Sequence, residues 1–211
     1  MNSWGGKNHF EVSRPLKPIP DKISSIVFEH LRKTFDDVDD VAIACVYFNY
    51  REPATPPEIL ANLLKQVLER NNILSQDIRA SYASHRQRNT RPHLTELSTL
   101  LTTECSRLTS CFLVLDALDE CATGNNVGFK ILSELQKIPN SRLMITGRPH
   151  VEMLLSKFKS TTLEIRARDE DIRRSLDTQV DESYNLLDCV RNDETFRKSV
   201  IDTITTKAKG M

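Results

Sequence analysis

The 211-residue chain is long enough for a single domain with a sizeable core, or for one domain with an appendage. With 39% hydrophobic and 27% charged residues it falls outside the composition of disordered, fibrous or low-complexity chains. Lys plus Arg and Asp plus Glu each total 29, so the net charge is zero, and on that ground neither nucleic acid nor an anionic membrane is expected as a partner.

The first 22 residues, rich in Pro and Gly, read as a divergent N-terminal segment without ordered structure, and no apolar signal core is present. DKISSIVFEHLRKTF (21–35) places Ile23, Ile26, Val27, His30 and Leu31 at helical spacing. VAIACVYFNY (41–50) is a continuous β-branched and aromatic run, the pattern of a strand buried on both faces in a parallel sheet. It is too short to span a bilayer, and the chain is expected to be soluble and cytoplasmic.

PPEILANLLKQVLERNNIL (56–74) opens on prolines suited to a first helical turn and carries an apolar stripe from Ile59 to Leu68. A polar helix is expected between Ser75 and Arg91, and an amphipathic one over 93–108. The strand CFLVLD (111–116) follows, then an acidic loop with Gly124 and Gly128. A short helix (127–138), a strand in SRLMITGRP (141–149), a helix in HVEMLLSKF, a strand in TTLEIRA (161–167) and helical segments from Asp169 onward complete the chain. Strands alternating with helices predict a mostly parallel sheet covered by helices.

The five cysteines, Cys45, Cys105, Cys111, Cys121 and Cys189, are scattered, without a CxxC pair, and read as small hydrophobes in a reduced compartment. The five histidines form no HExxH group. Chemistry concentrates instead in CFLVLDALDEC (111–121), where an apolar strand runs into Asp116, Asp119 and Glu120. Ligands of open parallel sheets sit at the carboxyl ends of the strands. Asp116, at such an end, can hold Mg²⁺, which takes oxygen ligands and shares its sphere with phosphates. Asp119 or Glu120 can orient and deprotonate an attacking water. At the next strand end, Thr146 and Arg148 offer a hydroxyl and a planar guanidinium to a phosphate. The plainer alternative is a solvated acidic loop beside a turn that uses Gly147 for backbone freedom.

The series ISSIVFEHL, VAIACVYFNYRE, EILANLLKQVL, CFLVLDALDEC, RLMITGRP, TLEIRARDEDIRRSL and ITTKAKGM resembles, in order, the segments of fungal NACHT-type P-loop NTPases of the STAND class, the nephrocystin 3-like N-terminal domains. The resemblance covers 23–211 and implies a three-layer α/β P-loop NTPase-like fold with a helical C-terminal end. It implies Asp116 as the Walker B magnesium carboxylate and Asp119 with Glu120 as the acidic pair beside the water. Thr146 and Arg148 fall at the sensor position, and Mg²⁺ with ATP or GTP are the implied cofactors. Such domains are nucleotide-controlled oligomerisation switches, so related full-length NACHT proteins or signalling partners are expected.

The pattern breaks at its start. A P-loop needs G-x-x-x-x-G-K-[ST], whose backbone N–H groups wrap the phosphates while Lys and the hydroxyl meet phosphate and Mg²⁺. The sequence contains no such motif: its one Gly-Lys pair, Gly6-Lys7, is followed by Asn8, and EVSRPLKPIP stands where the first strand and P-loop belong. Residues 23–211 are therefore expected to form an incomplete NTPase-like domain, catalytically inactive as given. The alternatives are a pseudo-NTPase interaction module, or an active NTPase whose P-loop is missing from the gene model.

Overall fold

The computed structural model describes residues 22–70, 74–121, 126–165, 168–182 and 193–208. The expected unstructured N-terminal segment lies outside the described residues, apart from Lys22, as do Cys189 and most of the acidic loop with Gly124. The chain divides into two compact units, one ending at Lys159 and one beginning at Ser160.

In the first unit, α1 (Lys22–Thr34) leads into β1 (Val41–Tyr47). Next come α2 (Pro56–Arg70), α3 (Gln76–Arg88), α4 (Leu94–Ser106), β2 (Ser110–Asp116), α5 (Val127–Leu135), β3 (Ser141–Ile145) and the short α6 (Glu152–Leu155). The helix starts follow local chemistry. Thr55 donates from its backbone N–H (2.8 Å) and its hydroxyl (2.7 Å) to Glu58, and Pro56 takes the first helical position of α2, where a missing N–H costs nothing. Ser75 caps α3 by accepting from the Ile78 N–H at 3.2 Å, and Asn89 ends that helix in the left-handed conformation.

Among the described residues the sheet has three strands in the order β1-β2-β3, all parallel, which agrees with the alternation of strands and helices in the sequence. Register pairs Ala42 with Cys111, Ala44 with Leu113 and Val46 with Leu115, and then Leu113 with Leu143 and Leu115 with Ile145. These residues share one face, which joins Leu60, Leu63 and Val67 of α2, Leu97 and Leu101 of α4, and Ile131 and Leu135 of α5 in the main core. Each fully buried Leu, Ile or Val side chain among them contributes about 1.5–3 kcal/mol of apolar burial.

The opposite face carries Ile43, Phe112 and Val114, and α1 packs against β1 and β2. There the rings of Phe35 and Phe112 stack at 5.1 Å and the Arg142 guanidinium lies 5.2 Å from the Phe112 ring centre. Helices thus flank a parallel sheet, the α/β arrangement the sequence predicts. The outer edge of β1 is met by a side chain: Gln66 of α2 accepts from the Cys45 N–H at 2.9 Å and donates to the Cys45 carbonyl at 2.7 Å.

The strand in 141–149 forms as Ser141–Ile145 and is closed by Gly147-Arg148-Pro149, as expected. Two expectations change in detail. The helix over HVEMLLSKF reduces to a single 3₁₀ turn, Pro149–Val151, and the four residues of α6. The strand expected over 161–167 is not formed in 161–165, where Leu163 is 80% and Ile165 59% exposed; Arg166 and Ala167 lie outside the described residues. Alternating T-L-E-I has strand character, but no described strand offers it a ladder, and an unpaired strand has nothing to hold it.

The second unit contains α7 (Asp169–Glu182) and α8 (Glu194–Ala208), which pack on each other. Val180 and Ile201 are buried, and Arg197 of α8 joins Asp177 (3.0 Å) and Asp181 (2.7 Å) of α7. Among the described residues no helix is long and apolar enough to cross a membrane.

Candidate functional site

β2 is the central strand, and its carboxyl end delivers Asp116 into an almost closed environment, 3% exposed. Burying a carboxylate is costly unless donors surround it. Two hydroxyls do so. Thr146, just past β3, donates to Asp116 Oδ1 at 2.5 Å, and Ser24, fully buried in the first turn of α1, donates to the same oxygen. The site therefore draws on both β-strand tips and on the helix covering the second face of the sheet.

The chain leaves Asp116 through Ala117, whose φ of 55° and ψ of 49° put a non-glycine residue in the left-handed region, a conformation that costs about 1 kcal/mol or more. The compensation is local. The Ala117 N–H donates to Thr146 Oγ1 at 3.0 Å, the Leu118 N–H to the Thr146 carbonyl at 2.9 Å, and Leu118 itself is buried in the core. Thr146 thus donates to Asp116 and accepts from Ala117, which fixes its hydroxyl between the two strand ends.

This turn sets the rest of the acidic loop. Asp119, in the 3₁₀ turn Leu118–Glu120, accepts from the Arg148 backbone N–H at 3.2 Å and pairs with the Arg148 side chain at 3.4 Å. The Asp119 side chain is 7% exposed and that of Arg148 76%. Glu120 reaches the other way and accepts from the Tyr50 N–H at 3.4 Å, on the segment after β1. Gly147 is needed for space: a Cβ there would lie 2.9 Å from Val151 Cγ2 and 3.3 Å from Asp119 Oδ1.

All five sequence-predicted residues gather at the carboxyl ends of β2 and β3. Asp116 and Thr146 are joined directly, as are Asp119 and Arg148, while Glu120 sits apart on the β1 side. Sequence reasoning missed Ser24 as part of the site. A polar residue on the inward side of an amphipathic helix was the available signal, but Ser24 and Asp116 are 92 positions apart.

Carboxylate and hydroxyl oxygens are the donor types Mg²⁺ prefers, so the chemistry of Asp116, Ser24 and Thr146 fits that ion. Among the described residues there is no group of three or more His, Cys, Asp or Glu that could hold a metal by itself. A Mg²⁺ here would need water or phosphate to complete its sphere. Nearby, Tyr47, paired in register with Asp116, has its phenol pushed well above the ordinary range, first by burial and then by the neighbouring Cys45. A cavity of about 590 Å³ lined by His85, Arg88, Thr90, Arg91, His93 and Glu96 lies elsewhere, between the end of α3 and the start of α4.

Residues 22–148 match the family described as nephrocystin 3, N-terminal. No curated protein sequence matches the chain. Among solved structures, the Aeropyrum pernix ORC1 protein in complex with DNA is similar, with a TM-score of 0.49 and 19% identity over 76% of this chain; this chain spans 40% of that one. The exclusion of nucleic acid as a partner, drawn from net charge alone, is withdrawn; that ORC1 protein is itself in complex with DNA. A balanced total of charges does not fix how they are distributed over a surface.

Proposed function

Because the chain belongs to the nephrocystin 3 N-terminal family of NTPase-type domains, we propose that it is a NACHT/STAND-type signalling module that keeps the magnesium side of a nucleotide site without the phosphate cradle. The observation that carries this reading is Asp116 at the carboxyl end of the central strand, held by Ser24 and Thr146. In it, Asp116 is the Walker B carboxylate, with the two hydroxyls placed to share or replace its partners when a metal enters. Bound Mg²⁺ would supply positive charge to the β- and γ-phosphates of ATP or GTP.

Asp119 and Glu120 are the acidic pair proposed beside an attacking water, and Arg148 the guanidinium nearest a γ-phosphate. Asp119 is engaged with Arg148, so that pair would have to open before either met a substrate. The sequence supplies no GxxxxGK[ST], hence neither the nest of N–H donors nor the lysine that carries most triphosphate affinity. Hydrolysis is not expected of the chain as given.

Calorimetric titration with Mg·ATP and Mg·GTP tests the proposal. No saturable binding is expected; micromolar affinity abolished by Asp116→Ala would overturn it. A second reading, an active NTPase completed by a strand and P-loop encoded upstream of Ile23, is favoured by β3. Among the described residues β3 pairs on one side alone, and Leu143, Met144 and Ile145 are half-buried. Sequencing the transcript decides it, since the absence of in-frame P-loop codons eliminates that reading.

A further inference from the structure

At the amino end of β2, opposite Asp116, lies a second arrangement that the nucleotide reading does not use. Cys105 in the last turn of α4 and Cys111 in β2 are both fully buried, and their Sγ atoms are 3.2 Å apart. Five residues, Ser106 to Ser110, join them, so one local opening of the α4–β2 connection uncovers both sulfurs. The separation is a short movement from the ~2.05 Å of a disulfide.

We propose that Cys105 and Cys111 are a reversible dithiol–disulfide site, oxidised by a peroxide and reduced by a dithiol. The two sulfurs are chemically unequal. They share a hydrogen bond in which either can be the donor, and what distinguishes them is the carboxylate beside Cys105. The Glu104 carboxylate, 2% exposed and 3.5 Å from the Arg107 guanidinium, adds to the cost of a thiolate at Cys105. Cys111 is thus the nucleophile and Cys105 the resolving thiol.

The chemistry closes without a further reactant. The Cys111 thiolate attacks one peroxide oxygen, the O–O bond breaks, and the departing hydroxide takes a proton to become water, leaving a sulfenic acid. Cys105 sulfur then attacks Cys111 sulfur; the S–O bond breaks, and the expelled hydroxide takes the Cys105 proton as a second water. The two sulfurs lose two electrons and the peroxide gains them. The disulfide ties the end of α4 to the start of β2. It needs no nucleotide, so its test is independent of the Mg·ATP titration.

The full chain, reduced and desalted, is treated with hydrogen peroxide, alkylated in denaturant, digested with trypsin and mapped by fragmentation mass spectrometry. The expected result is a cross-link between the peptide ending at Arg107 and the one beginning at Leu108, assigned to Cys105 and Cys111. Alkyl label should remain on Cys45, Cys121 and Cys189, and dithiothreitol should restore full labelling. Cys121→Ser should keep the link and Cys105→Ala abolish it. The wild-type map alone is decisive where a variant does not fold. Full labelling of both cysteines after peroxide, a link from either to Cys121 or Cys45, or over-oxidation of Cys111 without a link overturns the proposal.

Discussion

Thr146 Oγ1 donates to Asp116 Oδ1 at 2.5 Å while accepting from the Ala117 N–H at 3.0 Å, so a single hydroxyl locks the tip of β3 to the tip of β2. Asp116 is 3% exposed, and water cannot readily replace a lost donor. Thr146→Val, similar in shape but without the hydroxyl, should cost about 1–3 kcal/mol, the penalty for buried polar groups left short of partners. Thr146→Ser should recover most of it. Urea denaturation of the three proteins measures the difference, and equal midpoints for wild type and the Val variant would show the hydroxyl to be dispensable.

Gly147→Ala should destabilise by about 1–3 kcal/mol, because the added methyl meets Val151 Cγ2 at 2.9 Å and Asp119 Oδ1 at 3.3 Å, which a packed core does not absorb freely. Combined with Val151→Ala, which vacates the closest contact, the loss should be smaller than the sum of the two single losses. A double-mutant cycle by chemical denaturation checks this; strict additivity would mean that the contact relaxes elsewhere.

Gln66→Leu should cost about 1–3 kcal/mol and raise self-association, since it frees the Cys45 N–H and carbonyl that Gln66 satisfies at 2.9 and 2.7 Å on the outer edge of β1. Unpaired strand edges template contacts between chains. Denaturation midpoints together with light scattering over a concentration series measure both effects, and an unchanged scattering profile would count against the edge argument.

Glu96 of α4 is held below its ordinary value of 4.5, first by the Ser81 hydroxyl at 2.6 Å on α3 and then by His85. A carboxyl with a lowered folded pKa contributes stability that is fully present above the unfolded value and is lost as pH falls through the folded one. Ser81→Ala removes the larger cause, so the variant should be less stable than wild type at neutral pH. The gap should narrow as pH drops below 4.5 and through the lower folded value. Urea melts at pH 7 and across the acid range test this, and a gap that widens with acid would reverse the assignment.

Much of the fold was legible because period and run length are local properties. The continuous apolar runs became β1 and β2, and the stripe from Ile59 became the face of α2 that meets the sheet. The fixed alternation of strands and helices gave the parallel order. The segment 161–165 shows the limit of that reasoning, because strand character is realised only where a neighbouring strand presents its N–H and C=O groups. Gly147 shows another: its sequence context suggested backbone freedom, whereas its neighbours impose a limit on size.

By itself, the sequence determined that an acidic cluster ends a buried strand, that Thr146 and Arg148 end the next, and that no phosphate-wrapping glycine motif accompanies them. Only the tertiary structure decided how those groups are spent. It closed Ser24 onto Asp116 across 92 positions, set Asp119 against Arg148, and brought Cys105 to 3.2 Å from Cys111. The reason is physical: hydrophobic periodicity acts over one or two turns of chain. A hydrogen bond or a sulfur contact instead depends on angstrom-scale placement that packing between distant segments alone provides.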